Sequence, residues 1–272
     1  MGPRLIPLAA GLLALSAVFF VVERTLGNRR GRSLFRAGWG TDALWWFFVP
    51  LAGKWFARTA LLLPAALLVL FGAARAADLR GQTYHGFPPL GAQPVWLQVI
   101  QIYLLADFVS YWSHRWFHGG RLWPFHAVHH SSRDLDWLSS VRVHPVNEFG
   151  ARLCQAVPLL LAGYDPLAAG SAPLFFTLYA ILLHADVNWT FGPLRYVIAT
   201  PVFHRWHHSR DAAARNKNFA GLFPLWDLLF GTFYLPRERM PSNFGTDEPL
   251  PASFSGQILY PFQRSLGARG AE

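Results

Sequence analysis

Long apolar stretches constrain the fold of this 272-residue chain more than any other feature. Residues 5–22 form an uninterrupted apolar run, which as a helix would be about 27 Å long, close to the hydrocarbon thickness of a bilayer. Glu23 and Arg24 follow it in place of the small residues of a cleavage site, so we predict a retained membrane span. The composition agrees, because 53% of the residues are hydrophobic and only 14% are charged.

The second apolar region, residues 43–74, is interrupted by Lys54 and Arg58. Charged side chains are costly inside a bilayer, so we divide this region into two parts. We predict an interfacial piece around residues 45–48 and a membrane span over residues 55–74.

Three more apolar segments complete the predicted fold. Residues 94–113 predict a further span, and residues 149–162 and 166–183 predict a helical hairpin whose first arm is short for a full crossing. The sequence therefore predicts an all-α, polytopic membrane bundle of about four to five membrane helices, with a helical cap rich in histidine.

The distribution of basic residues predicts the orientation of the chain. The formal net charge is +9, and five arginines cluster after the first span: Arg24, Arg29, Arg30, Arg32 and Arg36. Such a flank is typical of a cytoplasmic loop and does not indicate nucleic-acid binding. Alternating spans then place every histidine except His85 on the cytoplasmic side. We expect a bacterial inner-membrane protein, because the compact chain is rich in alanine and arginine.

Histidines provide the candidate metal site, since the single cysteine, Cys154, excludes a thiolate cage. Nine of the eleven histidines lie in one H-x-x-x-H box, two H-x-x-H-H boxes and at the end of the hairpin. They are His114, His118, His126, His129, His130, His184, His204, His207 and His208. Isolated histidines are commonly ordinary core residues, but three boxes within one short region are not explained in that way.

The spacing of the boxes predicts two metal ions. Residues i and i+4 of a helix share a face, so His114 and His118 can bind one ion. In H-x-x-H-H, we expect residues i and i+3 to share a face and the adjacent histidine, rotated by about 100°, to reach a neighbouring ion. Neutral imidazole binds iron, zinc, copper and nickel, so the spacing leaves the metal open.

The order of the boxes resembles the fatty acid hydroxylase/sterol desaturase superfamily of membrane di-iron oxygenases. The short separation of His118 from His126 fits that superfamily, and residues 142–145, 184–188 and 218–232 resemble it further. The resemblance covers about half of the chain. It implies that the nine histidines bind two iron ions and that O2 is a co-substrate.

By the same resemblance, the enzyme hydroxylates or desaturates an aliphatic C–H bond of a membrane lipid. No flavin, haem or nicotinamide motif is present, so electrons would come from an external donor such as a ferredoxin, cytochrome b5 or a reductase. We expect N-terminal membrane spans with a connecting loop in residues 1–93, a catalytic domain in residues 94–235 and a polar tail, packed as a cap, in residues 236–272.

Five further residues are candidates for metal binding or for support of the ligands. Asp107 would accept a hydrogen bond from a ligand imidazole or pair with an arginine. Asn188, where fatty acid 2-hydroxylases have histidine, would bind a metal through water or cap a helix. His144 is a possible ligand with a supporting role favoured, and Asn218 and Asp227 lie in the segment that resembles the family.

Two other functions compete with the oxygenase. A membrane zinc hydrolase would use Glu148 or Asp134 as a general base, but H-E-x-x-H is absent and the imidazoles exceed what one zinc needs. A metal transporter would place its ligands near the bilayer midplane, whereas these histidines lie at predicted helix ends.

Overall fold

The structure is a computed structural model that describes residues 2–27, 33, 35–81 and 84–267. Apart from isolated bridges, the regular structure of these residues is helical. The helices are α1 Gly2–Leu26, α2 Trp39–Leu70, α3 Ala76–Gly81, α4 Val95–Phe117, α5 Trp123–His130, α6 Pro145–Leu161, α7 Pro166–Ala169, α8 Ser171–His184, α9 Pro201–His207, α10 Leu225–Leu229 and α11 Phe254–Gly267. Short 3-10 turns lie at Gly120–Leu122, Trp137–Val141, Gly192–Tyr196 and Ala212–Ala214.

Four helical segments in the described chain are long and apolar enough to cross a membrane. They are Leu5–Leu26, Trp39–Leu70, Val95–Phe117 and Pro166–His184. They confirm the predicted all-α, polytopic membrane fold, and the first of them contains the predicted first span. The last segment combines α7 and α8, and α6 runs beside these spans as a fifth helix.

The prediction of two separate pieces in the second apolar region is wrong. α2 is one continuous helix of 32 residues, about 48 Å long, so it extends beyond the hydrocarbon core of a bilayer. Trp45, predicted to lie in the interface, is fully buried, and its indole Nε1 donates to Gln257 Oε1 of α11 at 2.8 Å. Lys54 lies within this helix, and its ammonium lies over the ring of Trp55.

The first arm of the hairpin is longer than predicted, because α6 begins at Pro145. Its far end meets the N-terminal end of α4: the backbone N–H of Asp165 donates to Gln98 Oε1 at 2.9 Å. His85 lies at this same end, where its Nδ1 is 3.3 Å from Asp165 Oδ2. His114 is at the other end of α4, so His85 lies at the opposite end of the bundle from the histidine boxes, as predicted.

The end of α1 packs against the segments that carry the boxes. Phe19 stacks on Trp137 with ring centroids 5.4 Å apart. The Glu23 carboxylate accepts from the backbone N–H groups of Trp137 and Asp186, at 3.2 and 3.0 Å. Of the predicted basic flank, Arg24 is exposed and Arg36 is buried. Three of its residues lie outside the described residues: Arg29, Arg30 and Arg32.

Candidate metal centre

The nine histidines of the boxes converge into two groups. Within each group, one ring nitrogen from every histidine lies within 4.8 Å of the others. Group 1 contains five residues: His114, His118, His126, His130 and His207. Group 2 contains four: His129, His184, His204 and His208. The two groups are in contact, since the rings of His130 and His208 stack with centroids 4.2 Å apart.

Each H-x-x-H-H box contributes to both groups, although not in the predicted way. His126 and His130 belong to group 1, whereas His129 between them belongs to group 2. In the second box the groups are exchanged: His204 and His208 belong to group 2, and His207 belongs to group 1. The expectation that residues i and i+3 share an ion is wrong. Residues i and i+4 differ by only about 40° around a helix and i and i+3 by about 60°, so the i and i+4 pair shares a face.

Backbone carbonyls orient the histidines of group 1. His114 Nδ1 donates to the Phe219 carbonyl at 2.8 Å, and His207 Nδ1 donates to the Lys217 carbonyl at 2.8 Å. A neutral imidazole has one N–H group, so a ring that donates from Nδ1 directs a lone pair from Nε2 into the centre. His126 Nδ1 lies 2.6 Å from Asn147 Oδ1, which favours the same tautomer.

Group 2 is oriented in the same manner. His129 Nδ1 donates to the Arg142 carbonyl at 3.2 Å, and His184 Nδ1 donates to the Ala180 carbonyl at 2.7 Å. The Nε2 atoms of these two rings are nevertheless only 3.3 Å apart. Two lone pairs facing each other at this distance repel, and a cation bound to both removes the repulsion.

The separations between the Nε2 atoms fit metal ligands. Two nitrogens bound to one tetrahedral or octahedral ion at about 2.1 Å lie about 3.0–3.4 Å apart. In group 1, His114 and His126 are 3.0 Å apart and His118 and His207 are 3.2 Å apart. In group 2, His204 lies 3.2 Å from both His184 and His208. The residues present therefore fit two metal ions, one in each group.

Burial keeps these imidazoles in the form that binds metals. It is the main cause that lowers the pKa of the histidines outside the membrane-spanning segments well below its usual value, with the neighbouring histidines adding to the shift. These residues are His118, His126, His129, His130, His204, His207 and His208. Neutral imidazole is the metal-binding form, so the site is ready to bind without first losing protons.

Among the described residues, Asp107 contacts neither a ligand imidazole nor an arginine, so neither of the two predicted contacts is present there. Its carboxylate accepts from the backbone N–H groups of Leu222 and Phe223 at 2.8 and 2.7 Å, and from Trp226 Nε1 at 3.1 Å. It therefore fastens the following segment to α4. That segment carries the Phe219 carbonyl, to which His114 is bonded.

Asp227 and Asn218 stabilise this segment from within. The Asp227 carboxylate accepts from the backbone N–H groups of Phe219 and Ala220 at 2.8 and 2.9 Å. Asn218 has a left-handed backbone with φ 59°, and its side chain donates to the Phe203 carbonyl at 2.8 Å. Both residues lie behind the imidazoles, so the structure places them as supports of group 1.

The other two candidates lie outside both groups. His144 caps α6, because its Nδ1 accepts from the backbone N–H of Val146 and its Nε2 donates to the Ile258 carbonyl, both at 3.1 Å. Asn188 is exposed. Sequence reasoning missed Asn147, which binds His126 from the first turn of α6. Its proximity to the boxes in sequence was the only signal.

A cavity of about 320 Å³ reaches group 1. His118, His130 and His207 line it together with Trp123. The remaining lining comes from the loop after α9 and from the C-terminal tail, and it is largely polar. Group 1 is thus accessible from outside the helix bundle.

Comparisons with known proteins agree with this geometry. Residues 99–232 match the fatty acid hydroxylase family. The chain is 33% identical over 189 residues to ornithine lipid hydroxylase OlsE of Rhizobium tropici, covering 67% of this chain and 55% of that protein. It is 32% identical over 158 residues to alkylglycerol monooxygenase of Homo sapiens, covering 56% and 35%. It is 30% identical over 185 residues to a very-long-chain aldehyde decarbonylase of Oryza sativa subsp. indica, covering 61% and 29%. No solved structure matches.

The fold and the site define a polytopic membrane protein with a histidine-rich metal site. The chain belongs to the fatty acid hydroxylase/sterol desaturase superfamily. It spans about half the length of the bacterial relative and about a third of the human one.

Proposed function

We propose that this chain is an O2-dependent, non-haem di-iron enzyme that oxidises an aliphatic C–H bond of a membrane lipid, with hydroxylation as the outcome. The observation that carries the proposal is the convergence of nine imidazoles into two adjoining groups. The names of the relatives, a lipid hydroxylase and a monooxygenase, support the reaction class. Two irons bound there would supply the activation of O2 that an unactivated C–H bond requires.

The protein's own residues hold and shield the centre. The five histidines of group 1 would hold one ion and the four of group 2 the other. Carbonyls such as those of Phe219 and Arg142 fix the tautomers and orientations of the rings. Burial limits the access of water to the imidazoles of group 2, which protects a reactive centre from side reactions, whereas group 1 opens to the cavity.

The remaining assignments follow the topology. We propose that residues 94–235 form the catalytic domain, with residues 1–93 as spans and connecting loop and residues 236–272 as a covering tail. The basic residues after α1 favour the cytoplasmic side of a bacterial inner membrane for the centre. A ferredoxin, a cytochrome b5 or a reductase would deliver electrons there.

The geometry does not favour a zinc hydrolase. Neither group contains a carboxylate among the described residues. Glu148, one of the two suggested general bases, is paired with Arg152 one helical turn away, and the other, Asp134, is in neither group. Nine converging imidazoles also exceed the three ligands of a catalytic zinc.

Metal analysis of the full chain, purified without oxygen, tests the proposal. We expect about two irons per chain and consumption of O2 coupled to oxidation of added lipid and to a reductant. His85→Ala, which lies at the other end of the bundle, is the matched control and should keep both properties. One tightly bound zinc per chain with lipid hydrolysis would contradict the proposal.

A further inference from the structure

The cavity beside group 1 has a composition that differs from the rest of the site. At its inner end lie histidines of group 1, beside Trp123 and Ala127. Its outer part is lined by charged and polar groups, and five of these residues carry a formal charge. They are Arg210, Arg215, Asp247, Glu248 and Arg264.

These charges form ion pairs with one another. Asp247 lies 2.7 Å from a guanidinium nitrogen of Arg215 and 3.6 Å from one of Arg210. Arg264 pairs with Glu248 at 2.5 Å. All five side chains remain substantially exposed, between 35% and 64%. Pairs this exposed contribute little to stability, so they are free to exchange partners with a ligand.

The pattern of charges selects the kind of ligand. An anion bound to the guanidinium of Arg215 would lie next to the Asp247 carboxylate, and these two negative charges repel each other. A ligand that carries both an anion and an ammonium group avoids this cost, because the ammonium takes the carboxylates while the anion takes the arginines. We propose that this cavity binds the zwitterionic head of a lipid, with its acid group on the arginines and its ammonium on Asp247 and Glu248.

The size of the cavity agrees with a head and not with a whole lipid. A volume of about 320 Å³ equals that of about ten water molecules, which suits a small polar head. Leu122, next to Trp123, is 38% exposed, and Trp116 at the end of α4 is 58% exposed. In the proposed complex, the apolar chains of the lipid lie against these exposed side chains.

If the chain has the proposed function, a head bound in this cavity also determines which C–H bond is oxidised, and this consequence rests on the proposed function. His118, His130 and His207 belong to group 1 and also line the cavity, so a head bound there brings the carbons next to it closest to the metal. The oxidised C–H bond would then lie in or beside the head and far from the end of an acyl chain.

Binding measurements on the full-length, metal-loaded protein in neutral detergent test this. Oxygen and reductant are omitted, so that no turnover occurs and binding is read independently of activity. The probes share two eight-carbon chains: dioctanoyl phosphatidylethanolamine is zwitterionic, dioctanoyl phosphatidylglycerol is anionic and dioctanoylglycerol is neutral. We expect the zwitterionic lipid to bind at least about tenfold more tightly than the neutral one, the difference that one charge-assisted hydrogen bond gives. Free phosphoethanolamine should bind more weakly than the lipid, and equal affinity would assign the cavity to a soluble ligand.

Two variants separate the two charges of the head. Arg210→Gln should weaken the zwitterionic and the anionic lipid alike, by about tenfold. Asp247→Asn should weaken only the zwitterionic lipid and strengthen the anionic one, because it releases the arginines. Arg121→Gln removes an exposed arginine outside the cavity and should change neither affinity.

The proposal would be overturned by equal affinity for all three lipids, or by an Arg121→Gln variant that behaves like Arg210→Gln. Its failure is distinct from that of the proposed function. Selective binding without lipid oxidation would contradict the proposed enzymatic function and would support the cavity as a binding site for the lipid head. Lipid oxidation without selectivity for the head would contradict the proposed binding site for the head and would support the proposed enzymatic function.

Discussion

The two histidine groups use similar imidazoles but are exposed and supported differently. Group 1 has five imidazoles, three of which line the cavity. Group 2 has four, and the described lining of the cavity includes none of them. The site where a substrate can arrive is therefore group 1, and group 2 lies behind it, closer to the segments that α1 and α2 cover.

The supports behind the two groups differ as well. Group 1 rests on a segment whose backbone N–H groups are bound by the carboxylates of Asp107 and Asp227. Group 2 rests on buried ion pairs: Arg142, whose carbonyl accepts from His129, binds Asp42 through its side chain. Loss of one hydrogen bond to a backbone segment costs a modest amount of free energy. Loss of one partner of a buried ion pair costs more, because it leaves a buried charge without compensation. The comparison predicts a rigid group 2 and a more adaptable group 1.

The largest effect should come from removing a ligand of group 2. His129→Ala reduces its four imidazoles to three, and we expect loss of about one of the two metals and of at least 100-fold in activity. His207→Ala leaves four imidazoles in group 1, so its metal should be retained in part while activity still falls. Metal content per chain measures both. Equal metal loss in the two variants would remove the distinction between the groups.

The next largest effect should come from Asp42, which is fully buried between Arg36 and Arg142. Asp42→Asn removes the carboxylate that pairs with the buried guanidinium of Arg142, while Arg36 keeps Asp136, and we expect a cost of about 3–5 kcal/mol in unfolding free energy. Metal should be lost from group 2 first, because Arg142 orients His129.

The melting temperature in detergent measures the loss of stability, and the metal content per chain measures the loss of metal. Asp42→Glu, which keeps the charge, should restore part of the stability and part of the metal content. Loss confined to group 1 would contradict the link from Asp42 to group 2.

Asp107→Asn makes the matching change behind group 1, with a smaller expected effect. Asparagine keeps one acceptor for the backbone N–H groups of Leu222 and Phe223, so the cost is about 1.5–3 kcal/mol. The metal affinity of group 1 should fall about tenfold, because the Phe219 carbonyl no longer holds His114 firmly.

Asp165→Asn is the control for this change. Its carboxylate also accepts from a backbone N–H, that of Leu167, but at the opposite end of the bundle. Competition with a metal chelator measures the affinity of each group. An equal effect of the Asp107 and Asp165 variants would show that the segment does not act through His114.

Sequence reasoning predicted which histidines converge, because the H-x-x-H-H spacing limits which side chains share a helical face. It did not predict how they divide, since a difference of about 20° between two spacings decides which pair shares an ion. It placed Asp107 in the site but missed its role. That role depends on contacts with Leu222 and Phe223, more than a hundred residues later in the chain. The buried pair of Arg36 with Asp136 was equally beyond local sequence, because Asp136 is distant in the chain.

The smallest effect should come from His144, which lies in sequence between Arg142 and Asn147, the residues that orient one histidine of each group. It caps α6, the helix whose Asn147 holds His126 of group 1, and it follows Arg142, which orients His129 of group 2. His144→Ala should lower the unfolding free energy by about 1 kcal/mol, the usual value of a helix cap. His144→Asn, which can still cap, should recover most of that loss. Both variants should keep two metals per chain, because His144 lies outside both groups. A metal lost from His144→Ala and not restored by asparagine would make His144 a metal ligand.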